Sequence, residues 1–344
     1  MRFETIRSFD DLSVVSNDLS SKDGLTLFSV MRNEMFFLPA FLSHYRGLGI
    51  QRFIILDDRS DDGTRAYLAK QADCMVVQSQ RRFSQWVEID HPMKTEDGTA
   101  RIRNVWINLL LHKYALDRWA VYVDADEFLK LPDGDGVGDL ATRLEDEGAR
   151  ALCSVMLDLY PANSKALRSM ASDETLDTGR DWYYDARQHF ALPGLLARPN
   201  WSQPRIVYPG SRARLMHTFG IRAPTGWNQI KTRFAVPGYN LIRKVALVKL
   251  GKGDFFLHSH RVSMPTSRET VTPIEHFKFS GQLYRRAEAA IRNKTHFNGS
   301  SEYHDMVRLL EVMEIKQATF LSSSSSADRR FDSYRRCKVA LGFT

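Results

Sequence analysis

Between residues 25 and 130 the chain alternates short apolar runs with longer segments whose apolar positions recur every three or four residues. That alternation predicts strands at "LTLFSVM", "QRFIILDD", "CMVVQ" and "WAVYVDADEF". Between them it predicts helices at "NEMFFLPAFLSHYRGLG", "SDDGTRAYLAKQA" and "TARIRNVWINLLLHKYALD". In the first helix Phe37, Phe41 and Tyr45 fall four apart, and Gly47 and Gly49 supply stop signals. Strands alternating with helices imply an α/β fold whose mostly parallel sheet is covered on both faces. The first 24 residues end in the polar "SNDLSSKDG" and read as a variable lead-in, with order beginning near Leu25.

Past residue 150 the pattern loosens. "ALCSVMLDLYP" reads as a strand, and the residues up to about 240, rich in Pro, Gly, Arg and aromatics, read as a loop-rich extension. "LIRKVALVKL" and "DFFLHSH" alternate like strands of a smaller sheet. Residues 275–292 and 301–319 read as helices, and the serines at 322–326 as a flexible linker into a basic tail. No internal repeat is visible.

Composition narrows the picture without deciding it. With 344 residues, 43% hydrophobic and 26% charged, the chain can bury a large core. No apolar run reaches the roughly 18 residues of a membrane span, and "MRFETIRSFDDLSVV" carries acids where a signal peptide needs an apolar stretch, so the expected location is cytoplasmic. Cys74, Cys153 and Cys337 lie far apart with no CxxC pair, which argues against a disulfide framework or a cysteine zinc site. A net charge of +7 and a pI near 9.3 favour an anionic partner. No nucleic-acid motif accompanies the charge, so a nucleotide or an acidic membrane surface suits it better.

Chemistry concentrates where strands end. In parallel α/β sheets ligands bind beyond the carboxyl ends of the strands. The second strand ends in "LDDRSDDGT" and the fourth in "DADEF", so two acidic clusters are expected at one edge. Asp124 and Asp126, one residue apart, are hard oxygen donors of the kind that suit Mg²⁺ or Mn²⁺ with a diphosphate completing the shell. Glu127 follows on the opposite side of an extended chain, where an orienting role or a salt bridge is expected. Asp57 and Asp58 can accept from a base N–H or ribose hydroxyls, while Asp62 or Thr64 can cap the following helix. An acidic loop without a ligand is the plainer account of either cluster taken alone.

Together, "VMRNEMFFLPAFLSHYRGLGIQRFIILDDRSDDGT" and "WAVYVDADEF" resemble family 2 glycosyltransferases of the GT-A fold, within a bacterial subgroup marked by Arg-Asn-Glu and by a metal motif running into Glu-Phe. The later segments "MLDLYP", "GSRARLM", "KVALVK", "LHSH", "EHFKF" and "HFNGSSEY" resemble that subgroup's further blocks. The resemblance spans residues 25–312, divided into a nucleotide-sugar half (25–150) and an acceptor half (151–312), with 313–344 as a terminal helix, linker and basic tail. It implies transfer of a sugar, with inversion, from a nucleotide sugar (UDP favoured, GDP second) to a hydroxyl of a glycan or lipid-linked acceptor in bacterial surface polysaccharide synthesis.

The resemblance further implies that Arg32, Asn33 and Glu34 line the nucleotide pocket with Asp57 and Asp58, and that Asp124 and Asp126 hold Mn²⁺ or Mg²⁺. A further metal or phosphate ligand is expected from His260 or His276, ahead of His258. Arg212, Arg214 and Lys278 are candidate diphosphate clamps. An inverting displacement needs a general base, for which Asp158 is the first candidate and Asp185 the second; the family's usual base motif is absent. Trp182, Tyr183, Tyr184 and Trp201 can stack on an acceptor sugar or simply pack. The tail "SADRRFDSYRRCKVALGF" can form a basic amphipathic helix at an acidic membrane. Two rival classes are a metal-dependent phosphohydrolase and a noncatalytic polyanion- or membrane-binding module.

Overall fold

The computed structural model describes residues 2–186, 191–192, 205–206, 210–221, 243–293 and 297–331. It is an α/β structure built on a mixed sheet of nine strands, a layout that fits a Rossmann-like fold. The chain separates into two compact units, each drawn from several segments: Met1–Phe128, Gly134–Ser154 and Lys244–Thr270 form one, and Leu129–Asp133, Val155–Arg243 and Val271–Thr344 the other. No helix among the described residues is long and apolar enough to cross a membrane.

The order in the nine-stranded sheet begins Ser13–Ser16, Cys74–Gln78, Arg52–Asp57, Thr26–Met31, Trp119–Tyr122 and Arg243–Lys249. The strands Ala151–Asp158, Thr272–His276 and Glu127–Leu129 complete the sheet. The centre is parallel: Thr26–Met31 runs beside Arg52–Asp57 with Met31 opposite Asp57, and beside Trp119–Tyr122 with Phe28 opposite Tyr122. Every residue of Thr26–Met31 and Arg52–Asp57 is buried. Such uninterrupted burial is what a strand shows when both faces of its sheet are covered. The helix Ile102–Tyr114 supplies part of that cover, with Trp106, Leu109 and Leu110 in one core with Phe28, Ile54 and Tyr122.

Two expectations change here. The lead-in is part of the first unit: Arg2–Arg7 is helical, Ser13–Ser16 pairs antiparallel with Cys74–Gln78, and Ile6 and Leu19 are buried. Arg52 explains how a polar loop is held there, since its buried guanidinium donates to the carbonyls of Leu19 and Lys22 and to that of Tyr114. Arg243–Lys249 belongs to the large sheet rather than a smaller one, antiparallel to Trp119–Tyr122 with Leu247 opposite Val121. Only Phe256–His258 and Arg261–Val262 form a separate ribbon there.

The second unit has its own core, in which Tyr160, Leu167, Leu215, Phe279, Met306, Leu310 and Phe320 are buried together. Residues 275 and 276 close the strand Thr272–His276, and the helix begins only at Leu283. Gly281 lies between the two, where a Cβ would stand 1.9 Å from the Met170 carbonyl oxygen, so backbone is pressed against backbone. The last long helix, Phe297–Ile315, ends before 319 because Gln317 takes a φ of 48° and Ala318 N–H returns to the Met313 carbonyl. The serine run is not a free linker. Ser325–Ser326 pairs with Tyr184–Asp185, and the Ser325 hydroxyl lies 2.7 Å from the Tyr160 hydroxyl. Residues 187–190, 193–204, 207–209 and 222–240 of the expected loop-rich segment, and the basic tail from 332 on with Cys337, lie outside the described residues; Cys74 and Cys153 are free and buried.

Candidate active site

Parallel register brings three strand ends to one edge of the first unit. Met31 and Asp57 are paired and close neighbouring strands, so the loops 32–37 and 58–63 leave the sheet side by side, while Tyr122 pairs with Phe28 and the turn 123–126 leaves the same side of the sheet three residues earlier. The first two are stitched together. Asn33, at a φ of 57° that asparagine tolerates better than most residues, donates from its backbone to the Ser60 hydroxyl at 2.9 Å. Its amide group bonds Asp61 in both senses, at 2.8 and 2.9 Å. Glu34 N–H donates to the Thr64 hydroxyl at 2.9 Å, and Met35 N–H to Asp62 at 3.0 Å. Asp62 also accepts from Thr64 N–H at 2.9 Å, capping the turn. Asn33 is therefore spent on loop geometry, whereas Arg32 is exposed.

Asp57 and Asp58, adjacent in sequence, do different work. Asp57 is buried and accepts from Ser60 N–H at 3.2 Å and from the Gln78 side-chain amide at 2.9 Å, which fixes the loop. Asp58 is 3% exposed; Oδ2 accepts from Phe83 N–H at 3.3 Å, while Oδ1 has no hydrogen bond among the described residues. Its nearest cation, Arg82, stands 3.8 Å from Oδ1. Burial pushes the Asp58 carboxyl above its ordinary value, against the pull of Phe83 N–H and of Arg82, Arg32 and Arg59. A buried acceptor with an unused oxygen is an ill-satisfied group that a ligand N–H or O–H would complete.

The Asp-Ala-Asp-Glu turn is bound by residues that its own sequence does not announce. Asp124 Oδ1 lies 3.1 Å from Arg103 Nη2, and Oδ2 lies 3.2 Å from both Arg103 Nη2 and Lys244 Nζ. Glu127 accepts from Asp124 N–H at 2.9 Å and meets Lys244 Nζ at 2.6 Å. Glu127 thus folds back to close the turn, and fully buried Lys244 is the counter-ion of both acids. Burial alone would raise the Asp124 carboxyl; Lys244 first and Arg103 second outweigh it and hold it well below the carboxylate range. Burial likewise works against the Lys244 ammonium, yet Asp124 and Glu127 push its pKa upward. Asp126 is 5% exposed.

A divalent ion takes carboxylate oxygens at about 2.0–2.6 Å. Asp124 has no oxygen without a cationic neighbour, so as a metal ligand it does not fit unless Arg103 or Lys244 is displaced. Among the described residues no group of three or more His, Cys, Asp and Glu is arranged to hold a metal ion. His260 is half-buried in the Phe256–Val262 ribbon, its ring 5.7 Å from that of His258.

The remaining candidates lie in the second unit, where acids and cations consume one another. Asp158 is buried with Oδ2 at 2.6 Å from Arg212 Nε and Oδ1 at 2.6 Å from His276 Nδ1. Burial would raise its carboxyl, but Arg212 and then His276 hold it far below the usual range. A carboxylate so stabilised is a poor proton acceptor, and the expected base role does not suit it. Asp185 is likewise buried, accepting from Arg214 Nε at 2.7 Å and from the Tyr160 hydroxyl. Arg214 also donates to the Phe320 carbonyl at 2.8 Å. Lys278 reaches the Tyr303 hydroxyl at 3.5 Å and stands over that ring. Trp182 is buried edge-on against Phe277, packing rather than offering a stacking face; Trp201 lies outside the described residues.

Sequence reasoning missed Arg103 and Lys244. Their only local signal is a basic residue opening an apolar helix and an apolar strand, a pattern that ordinarily marks a solvated end. No family model matches this chain, and no curated protein matches it with significance.

Proposed function

We propose that the chain is a glycosyltransferase of GT-A type that moves a sugar from a nucleotide-sugar donor, UDP-linked before GDP-linked, to a hydroxyl of a glycan or lipid-linked acceptor. One observation carries the proposal: the in-register parallel strands Thr26–Met31, Arg52–Asp57 and Trp119–Tyr122, whose ends deliver Arg32, Asp58 and the Asp124–Asp126 turn to one edge. Nucleotides bind at that edge of parallel α/β sheets. Asp58 Oδ1, buried and without a hydrogen bond among the described residues, is suited to a base N–H or a ribose hydroxyl. The basic balance of the chain, +7, favours the anionic donor on approach. Asp124, which the resemblance assigns to Mn²⁺ or Mg²⁺, is already paired with Arg103 and Lys244, so no step is routed through a metal.

A thermal-shift panel of UDP, GDP, CMP and their sugars, run with EDTA and with Mn²⁺, tests the proposal. A nucleoside diphosphate at 100 times its Kd stabilises the fold by about 2.7 kcal/mol. Asp58→Asn, which keeps the shape and removes the charge, is expected to weaken that ligand by about tenfold or more while leaving the fold intact. No shift with any nucleotide, or salt-sensitive binding of RNA or anionic vesicles that Asp58→Asn leaves unchanged, would overturn it and favour a polyanion-binding module.

A further inference from the structure

Arg103 is a cation whose partners use only part of its hydrogen-bonding capacity. It stands in the first turn of the helix Ile102–Tyr114. Nη2 donates to both Asp124 oxygens, at 3.1 and 3.2 Å, and Nη2 and Nε reach the Tyr122 hydroxyl at 3.3 and 3.4 Å. The Phe83 ring lies beneath the guanidinium, its centroid 5.4 Å from Cζ. No hydrogen bond among the described residues reaches Nη1, and 21% of the side chain remains exposed. A guanidinium is a rigid planar fork of five N–H donors. One side of this fork is clamped by an acid and a phenol while the other is left for a ligand.

The charges around it fit the same purpose. Lys244 is fully buried and cannot itself meet a ligand, but it faces both Asp124 and Glu127, so Arg103 does not neutralise Asp124 alone. Tyr122 is buried too and fixes the height of the fork above the sheet end. These contacts pre-order a long, flexible side chain before any ligand arrives, which lowers the entropy lost on binding. The same contacts leave Asp124 poorly placed to take a divalent ion.

We infer that Asp124 anchors Arg103 instead of ligating metal, and that Arg103 Nη1 contacts the diphosphate of the nucleotide directly, so that the nucleoside diphosphate binds without a divalent cation. The inference rests on the glycosyltransferase reading only for the presence of a nucleotide at this edge. In it Arg103 is a binding residue and Asp124 a positioning residue acting through it.

Calorimetric titration of UDP, or of GDP if the panel selects it, tests this in EDTA and in Mn²⁺, with the matching nucleoside as a phosphate-free probe. The proteins are the wild type, Arg103→Met, Arg103→Lys, Asp124→Asn and the double variant Arg103→Met/Asp124→Asn, each first checked for a native circular-dichroism spectrum. The wild type is expected to bind the diphosphate in EDTA. Arg103→Met is expected to weaken it by about tenfold or more, the loss of a charged hydrogen bond, with nucleoside affinity unchanged. Arg103→Lys, which keeps charge but not the fork, should retain part of the affinity. Asp124→Asn should cost several-fold alone and nothing further in the Arg103→Met background. Diphosphate binding that requires Mn²⁺, or equal losses of diphosphate and nucleoside in Arg103→Met, or additive losses in the double variant, would each overturn the inference while sparing the glycosyltransferase reading. Absence of diphosphate binding to the wild type under both conditions would remove both.

Discussion

Lys244→Met isolates the electrostatics that hold the Asp-Ala-Asp-Glu turn. The ammonium is 0% exposed and sits 2.6 Å from Glu127 and 3.2 Å from Asp124. Methionine fills similar volume without charge, so the packing loss is small and the main effect is two carboxylates left with one guanidinium. Breaking a buried ion pair from one side costs about 3–5 kcal/mol. With a slope of about 3 kcal/mol/M, the urea midpoint falls by about 1–2 M, read from tryptophan fluorescence. Adding Glu127→Gln should restore most of the loss, because Gln Oε1 can still accept from Asp124 N–H and one uncompensated charge is gone. The pH dependence has a definite sign. The Asp124 carboxyl is depressed in the fold, so the pairing contributes fully above the unfolded aspartate value of about 3.9 and is lost as pH falls through the folded value. The gap between variant and wild type should therefore be widest near neutrality and narrow in acid. A midpoint change under about 0.3 M, or no recovery with Glu127→Gln, would show that Lys244 is not the counter-ion that holds this turn.

Arg212→Met should cost about 3–5 kcal/mol for the same reason, since among the described residues the Asp158 carboxylate would keep only His276 as a partner; urea unfolding checks it, and an acid-side narrowing of the deficit is expected because the Asp158 carboxyl is depressed. Gly281→Ala places a methyl 1.9 Å from the Met170 carbonyl and should destabilise by about 1–3 kcal/mol or more, measurable as a lower thermal midpoint. Deleting residues 1–17 removes Ile6 and the strand Ser13–Ser16, so the remaining chain should show a lower midpoint and earlier proteolysis than the full chain; unchanged stability would return the segment to the status of a lead-in.

Much of this protein follows from its local pattern. "CMVVQ" is a strand at Cys74–Gln78, and "ALCSVMLD" is one at Ala151–Asp158, because a short apolar β-branched run has few other ways to bury itself. The alternation of strands and helices is enough to expect parallel pairing, and parallel pairing carries Asp57, Asp58 and the Asp124–Asp126 turn to one edge. Tertiary structure decided what those acids face. Lys244 reaches Asp124 across an antiparallel strand pair, Arg103 reaches it from a helix, and Arg212 and Arg214 close on Asp158 and Asp185 from a third segment. Charge pairing acts through space and carries no periodicity along the chain, so an isolated arginine reads the same whether it awaits a phosphate or already holds a carboxylate. The same holds for Ser325 and Arg52, whose polar character suggests solvent until the fold places Tyr160 and the carbonyls of residues 19 and 22 within reach. Sequence alone determined where the acids stand; only the packed structure determined which of them are already neutralised.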